Sequence, residues 1–183
     1  MRFLGCLTDK LGILENLWYN ILKSEKNGDK MKYRIEEKPA FSVVGIKERF
    51  SNVNGLGESV GKMWSETPQE TVSQIAQLGN GLVGVYSGMY EDNTTDYYIA
   101  AITDKNPPEN LCKLDIAPQT WAVFEIEGPM PTAMAEVWGK IFTEWFPASD
   151  FVHANAPEVE WYSNGDMTSS DYKSEIWIPV VKK

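Results

Sequence analysis

The sequence predicts an α+β fold: a duplicated βαββ unit whose strands join in one antiparallel sheet, with helices on one face and a central cleft. Three observations predict it. A strand–helix–strand–strand order reads across residues 31–104 and reads again across residues 118–181. The probable strands alternate apolar and polar residues, whereas the probable helices carry apolar stripes at helical spacing. Turn signals separate them, among them Gly79-Asn80-Gly81 and Gly128-Pro129. Two such units typically join their sheets and leave a cleft along the pseudo-twofold axis.

Residues 1–30 form a preface. Leu11, Leu14, Leu17, Trp18, Ile21 and Leu22 recur at helical spacing, and Asn27-Gly28 ends the pattern. The expectation is one amphipathic helix and a linker. It would pack on the domain, or on a second copy to make a homodimer, or belong to a longer upstream partner. The domain proper spans 31–183. Tyr33 to Phe50 is extended and interrupted at Pro39. Val60, Met63 and Trp64 suggest a helix, and Val72, Ile75, Ala76 and Leu78 a second. Leu82–Gly88 and Tyr97–Ile102 are strands around a turn at Glu91-Asp92-Asn93-Thr94. A polar connector spans 105–115. Thr120–Ile126 is a strand, and Ala133, Val137, Trp138, Ile141, Phe142 and Trp145 stripe a helix with Pro131 near its start. Val159–Tyr162 and residues 174–181 are the closing strands.

Composition narrows the function. The chain has 183 residues and a formal net charge of -9, which repels phosphate backbones and argues against direct nucleic-acid binding. A neutral or cationic small molecule suits it better. Cys6 and Cys112 stand at no metal-like spacing and His153 is the single histidine, so neither a metal site nor a cofactor is expected. His153, after the helix, reads as a loop residue at the surface. Two cysteines do not make a disulfide scaffold, and no signal-peptide pattern is present, so the expected location is cytoplasmic. No stretch approaches the roughly 18 apolar residues of a membrane span.

What is left for chemistry is aromatic and acidic. Aromatics make up 12% of the chain, with seven Trp and eight Tyr. Glu175, Trp177 and Pro179 share one face of the last strand, opposite Ile176, Ile178 and Val180. A carboxylate beside an indole is costly to bury without compensation, which makes Glu175 a site candidate; on an edge strand it would simply face water. Glu160 and Tyr162 share a face of their strand, opposite Val159 and Trp161. If the two strands pair, both carboxylates and both aromatics line one surface, although a one-residue register change would turn Glu160 away. Tyr86 and Tyr98 occupy the matching strands of the first repeat. Trp64 reads equally as core or pocket, and Trp138 and Trp145 read as core. The candidate ligand-binding set is therefore Glu175, Trp177, Glu160, Tyr162, Tyr86, Tyr98 and Trp64. Such a pocket stacks on an aromatic body and draws a cation to its carboxylates. The same groups allow catalysis, with Glu175 or Glu160 positioning water and Tyr162 or Tyr98 supplying a proton.

The ordered set of motifs also resembles a known family. Tyr33-Arg34-Ile35-Glu36-Glu37-Lys38-Pro39 with Val43-Val44-Gly45 resembles the opening of GyrI-like, AraC-type effector-binding domains. Gly84-Val85-Tyr86, Asp96-Tyr97-Tyr98-Ile99-Ala100, Glu144-Trp145-Phe146-Pro147, Val159-Glu160-Trp161-Tyr162 and Glu175-Ile176-Trp177-Ile178-Pro179-Val180 follow in the family's order. The resemblance covers about residues 31–181 and implies two βαββ halves around a ligand cleft. It implies binding of small lipophilic or cationic molecules, with Glu175 as the pocket carboxylate and aromatics stacking around it. Family members occur fused to helix-turn-helix domains or alone, and the acidic charge points to a stand-alone member here. Some stand-alone relatives hydrolyse strained cyclopropane-containing toxins and others are described as gyrase inhibitors. The expected function is thus a sensor or sequestering protein for small molecules, with a hydrolase or a gyrase-inhibitor-like protein as alternatives.

Overall fold

The structure is a computed structural model, and it describes residues 31–51, 55–79 and 81–183. The expected preface helix at 1–30 lies outside the described residues. Among the described residues nine strands form an antiparallel arrangement: β1 (Tyr33–Lys38), β2 (Phe41–Ser51), β3 (Leu82–Tyr86), β4 (Thr94–Ile102), β5 (Cys112–Ile116), β6 (Gln119–Glu127), β7 (Phe151–His153), β8 (Glu158–Tyr162) and β9 (Lys173–Lys182). The helices are α1 (Leu56–Glu66), α2 (Gln69–Ala76) and α3 (Thr132–Lys140). A π-helical turn, Ile141–Trp145, extends α3, and a last turn spans Phe146–Ala148.

The strand order is β1-β6-β9-β8-β3-β4-β2-β5, with β7 adding to the end of β9. β6-β9-β8 and β3-β4-β2 mirror each other across the central β8–β3 seam, which is the duplication read from the sequence. Three details differ from that reading. Residues Phe151–His153, expected in a loop, pair with β9 as β7. The extended segment 33–50 is two strands, because Pro39 has no N–H to give a ladder. The connector at 105–115 ends in a strand, β5, whose alternation is too short and too charged to stand out. These two extra strands exchange places: β1 precedes β2 but pairs with β6, and β5 precedes β6 but pairs with β2.

Both faces of the sheet are covered, by different means. On one face α1 and α2 pack on Val44, Tyr97, Ile99 and Ala101. Among the described residues the other has no helix, yet Val43, Val85, Tyr98, Trp121, Val123 and Trp177 form a buried cluster there. Curvature accounts for it. Three strands separate β2 from β9, so a flat sheet would hold them about 19 Å apart at about 4.8 Å per strand. Instead the Phe41 ring of β2 lies 6.2 Å from Trp177 of β9 and 6.1 Å from Trp121 of β6. The sheet has rolled until its helix-free face packs on itself, a deformation to which strand twist contributes. Tyr98 and Trp177 are therefore core residues of the rolled interior.

Among the described residues no helix is long and apolar enough to cross a membrane, and no group of three or more His, Cys, Asp or Glu side chains is placed to hold a metal ion.

Candidate functional site

The helix-bearing face holds a cavity of about 1020 Å³, between α1, α3 and the middle of the sheet. Its floor is set by register. Glu160 of β8 pairs with Gly84 of β3 on one side and with Ile176 of β9 on the other. Directly paired residues of an antiparallel ladder share a face. Glu160 thus points to the helix side with Ile176, and Trp161 points into the rolled interior with its partner Glu175.

Glu160 is 5% exposed. Its Oε2 accepts hydrogen bonds from the Tyr97 hydroxyl at 2.7 Å and the Tyr162 hydroxyl at 2.9 Å. Its Oε1 accepts one from the Trp138 indole N–H at 2.7 Å. Trp64 donates its indole N–H to the Tyr97 hydroxyl at 2.9 Å, so α1 is tied into the same network. Among the described residues no lysine, arginine or histidine pairs with Glu160. Burial pushes the carboxyl above the ordinary glutamate range, and the three donors only partly oppose this. Burial likewise holds Tyr97 and Tyr162 far above the usual phenol range, with the Glu160 charge adding to it, so both remain protonated donors.

Glycine makes the floor possible. A Cβ on Gly84 would sit 2.0 Å from the Tyr97 hydroxyl and 2.7 Å from Glu160 Oε2. The hydroxyl–carboxylate pair occupies the space a side chain would take. Around it, Tyr86 meets Tyr97 edge-on at 4.7 Å and Trp138 edge-on at 6.0 Å. Trp64 meets Tyr162 edge-on at 5.4 Å. Phe142, one turn beyond Trp138, stacks on it at 6.0 Å with planes 7° apart. Met89, Met130 and Met134 complete the apolar lining with pliable thioethers.

Four of the seven ligand-binding candidates, Glu160, Tyr162, Tyr86 and Trp64, come together here. Glu175, Trp177 and Tyr98 do not. Glu175 sits on the helix-free side, where Arg34 Nη2 is 2.9 Å from its Oε1 and the Trp177 indole N–H donates to its Oε2 at 2.6 Å. Arg34 also reaches Glu36 and Glu125, and Lys38 lies over the Trp177 ring at 4.3 Å. The last strand does pair with β8, but in the register that puts Glu175 opposite Trp161. Two residues of the network are not legible as such in the sequence. Trp138 reads as core, yet it lines the cavity and its indole N–H reaches the acid because α3 lies across it. Tyr97 is buried beneath the floor and binds Glu160 from below; its side-chain parity with Gly84 is the available signal. His153, expected at the surface, lines the cavity as well.

The family model of the GyrI-like small molecule binding domain matches residues 31–181. The chain belongs to this family. A Pseudomonas aeruginosa protein, transcriptional regulator BrlR, is 26% identical over 156 residues, which span 82% of this chain and 56% of that one. This chain therefore matches little more than half the length of that relative. A DNA gyrase inhibitor of Erwinia billingiae is 24% identical over 132 residues, 65% of this chain and 85% of the other. Among solved structures, SAV2435 bound to tetraphenylphosphonium superimposes with a TM-score of 0.73 at 27% identity, covering 82% of this chain and 94% of that one. A putative transcription regulation protein from Staphylococcus aureus gives a TM-score of 0.69 at 27% identity, covering 82% and 99%. The duplicated sheet with its helices on one face is the architecture these GyrI-like structures share.

Proposed function

We infer that the protein binds lipophilic aromatic cations in the cavity on the helix-bearing face, as a sensor or a sequestering protein. Glu160 is the counter-charge in this reading, in the role the family resemblance gave to Glu175. One observation carries it: Glu160 is buried against three uncharged donors with no cation beside it among the described residues. A carboxylate in low dielectric without a partner is expensive. An entering cation offsets that cost, and Trp64, Tyr86 and Trp138 supply ring faces and edges for its organic body. Glu175 already has Arg34, so a cation there would have to displace a guanidinium. The tetraphenylphosphonium carried by SAV2435 supports the ligand class and supplies the probe. Isothermal titration with tetraphenylphosphonium should show similar saturable binding by the wild type and by Glu175→Gln, and binding weaker by about 100-fold in Glu160→Gln. Equal binding by both variants would place the site elsewhere.

A hydrolytic reading has one observation in its favour. A carboxyl raised by burial, with two phenol hydroxyls on one of its oxygens, has the groups that general acid–base chemistry uses. Incubation with a cyclopropane-bearing electrophile, followed by mass analysis, tests it. Product formed above the Glu160→Gln background establishes turnover, and its absence leaves a binding protein.

A further inference from the structure

Glu160 is not the only carboxylate in the cavity. Glu158 lies two residues away on the same face of β8 and also lines it. At about 3.3 Å per residue the two backbone positions are about 7 Å apart. The acids differ in how they are satisfied. Glu160 uses three of its roughly four acceptor positions on Tyr97, Tyr162 and Trp138 and keeps one on Oε1. Glu158 accepts no hydrogen bond among the described residues. Its Oε1 is 3.0 Å from His153 Nε2, but that contact is not aligned as a hydrogen bond, and the nitrogen is buried without a partner. His153 Nδ1 accepts from the Asn155 backbone N–H at 2.9 Å, so a neutral ring carries its proton on Nε2, the nitrogen facing Glu158.

The wall between and beyond these acids is equally ordered. Tyr86 stands opposite Glu158 in the ladder, on the strand that puts Gly84 opposite Glu160. Past Glu158 the lining continues to Thr95, which is 2% exposed and whose hydroxyl has one contact, 3.4 Å to the adjacent Asp96 carbonyl, at the long limit of a hydrogen bond. The Glu158 charge reaches Glu160 and Tyr86, adding to the effect of burial on both. Along the strands the cavity therefore presents an acid, an aromatic ring beside a second acid, and a buried hydroxyl. Among the described residues neither acid is matched by a lysine or arginine.

We propose that Glu158, with His153 beside it, forms a second cation subsite, and that the cavity selects elongated dications over monocations. The proposal rests on the cation-binding reading of Glu160. A monocation at Glu160 leaves Glu158 in the cavity with only His153 Nε2 near it and no lysine or arginine among the described residues. A ligand with a second cationic or strong donor group one strand-repeat away satisfies both acids, with its spacer against Tyr86.

The test uses straight-chain bis(trimethylammonium)alkanes of increasing length, each paired with the alkyltrimethylammonium ion of the same length, by isothermal titration at fixed ionic strength. The expected ratio of dication to monocation affinity rises to a maximum of roughly tenfold at one spacer length and falls on either side. In Glu158→Gln that maximum disappears. In Glu158→Asp it moves to a longer spacer, because the carboxylate is withdrawn by one methylene. A ratio that does not vary with length, or the same maximum in Glu158→Gln, overturns the second subsite and shows only the pull of a chain with net charge -9. Monocations that bind wild type and Glu160→Gln equally overturn the cation-binding reading as well, so the two failures are distinct.

Discussion

Glu160 and Glu175 sit on neighbouring strands, each within two residues of an aromatic side chain on its own face, and their situations are opposite. Glu175 is on the helix-free side, partly open to water, with an arginine beside it and an indole N–H on its second oxygen. Glu160 is sealed beneath α1 and α3 and receives only neutral donors. The same residue type is a settled structural ion on one face and an unmatched charge on the other. Local sequence does not decide which. The register between β8 and β9 decides it, by turning the two side chains to opposite faces.

The sharpest way to break the comparison is to remove each charge in turn. Glu160→Gln should weaken binding of tetraphenylphosphonium by about 100-fold, ~3 kcal/mol, as expected for loss of a buried counter-charge. Glu175→Gln should change it by less than about twofold, since its charge is screened and already paired. Next in size is the floor beneath Glu160. Gly84→Ala forces Tyr97 and Glu160 apart and should cost about 2–3 kcal/mol in urea denaturation, in the range of overpacked cores. An equal addition in open space, Gly61→Ala on α1, should not destabilise the fold.

Titration separates buried acids in the same way. The folded state raises the Glu160 carboxyl, so it holds that proton more tightly than the unfolded chain does. Stability from this group is gained as pH falls from the raised value towards the ordinary glutamate value and lost as pH rises through the raised one. The ligand requires the ionised form, so affinity should fall as pH is lowered through the same window. Plots of Tm against pH for wild type and Glu160→Gln should differ by that slope. Asp96, on the helix-free side, behaves oppositely. Hydrogen bonding from Arg49, reinforced by Lys47 and Tyr90 against the effect of burial, lowers it from 3.8 to about 2. Its contribution is present above the unfolded value and lost as pH falls through about 2. Asp96→Asn should cost about 1–2 kcal/mol at neutral pH, discounted because both cations are half-exposed. The smallest effect should come from Trp138→Phe. It keeps the ring but removes one donor to Glu160, and should weaken ligand binding by roughly fivefold, ~1 kcal/mol.

Much of this architecture is legible in the sequence because it is local. The helical stripe ending at Trp145, the turn at Glu91–Thr94 and the repeated strand–helix–strand–strand order depend on neighbours a few residues apart. Which side chains share a face of one strand is equally local: Glu160 and Tyr162 share theirs, and the hydroxyl donates to the carboxylate. Relations between strands are less accessible. Glu175 and Trp177 do share a face, but the curvature that rolls it into a second core depends on contacts between β2, β6 and β9. Tyr97 and Tyr98 are adjacent and chemically identical, and both are buried; only the register of β4 against β3 sends one to the helix side, where it meets Glu160, and the other into the rolled interior. Trp138 reads as core from its stripe because a helix pattern reports the buried face and not what that face meets.

The exchanged outer strands have a consequence of their own. Each half carries at its start a strand that completes the other half, so neither half is a finished object. Residues Lys32–Lys183 form a single compact unit, and the exchange is one reason the two repeats should melt together and not in sequence. Separately expressed halves should be unstructured alone and should reconstitute the domain when mixed, each clasping the other's leading strand. Each half is thus open on the edge where the other's leading strand lies. The two halves are also unequal where they meet: across the central seam one strand carries a glycine, Gly84, where its partner carries the acid, Glu160.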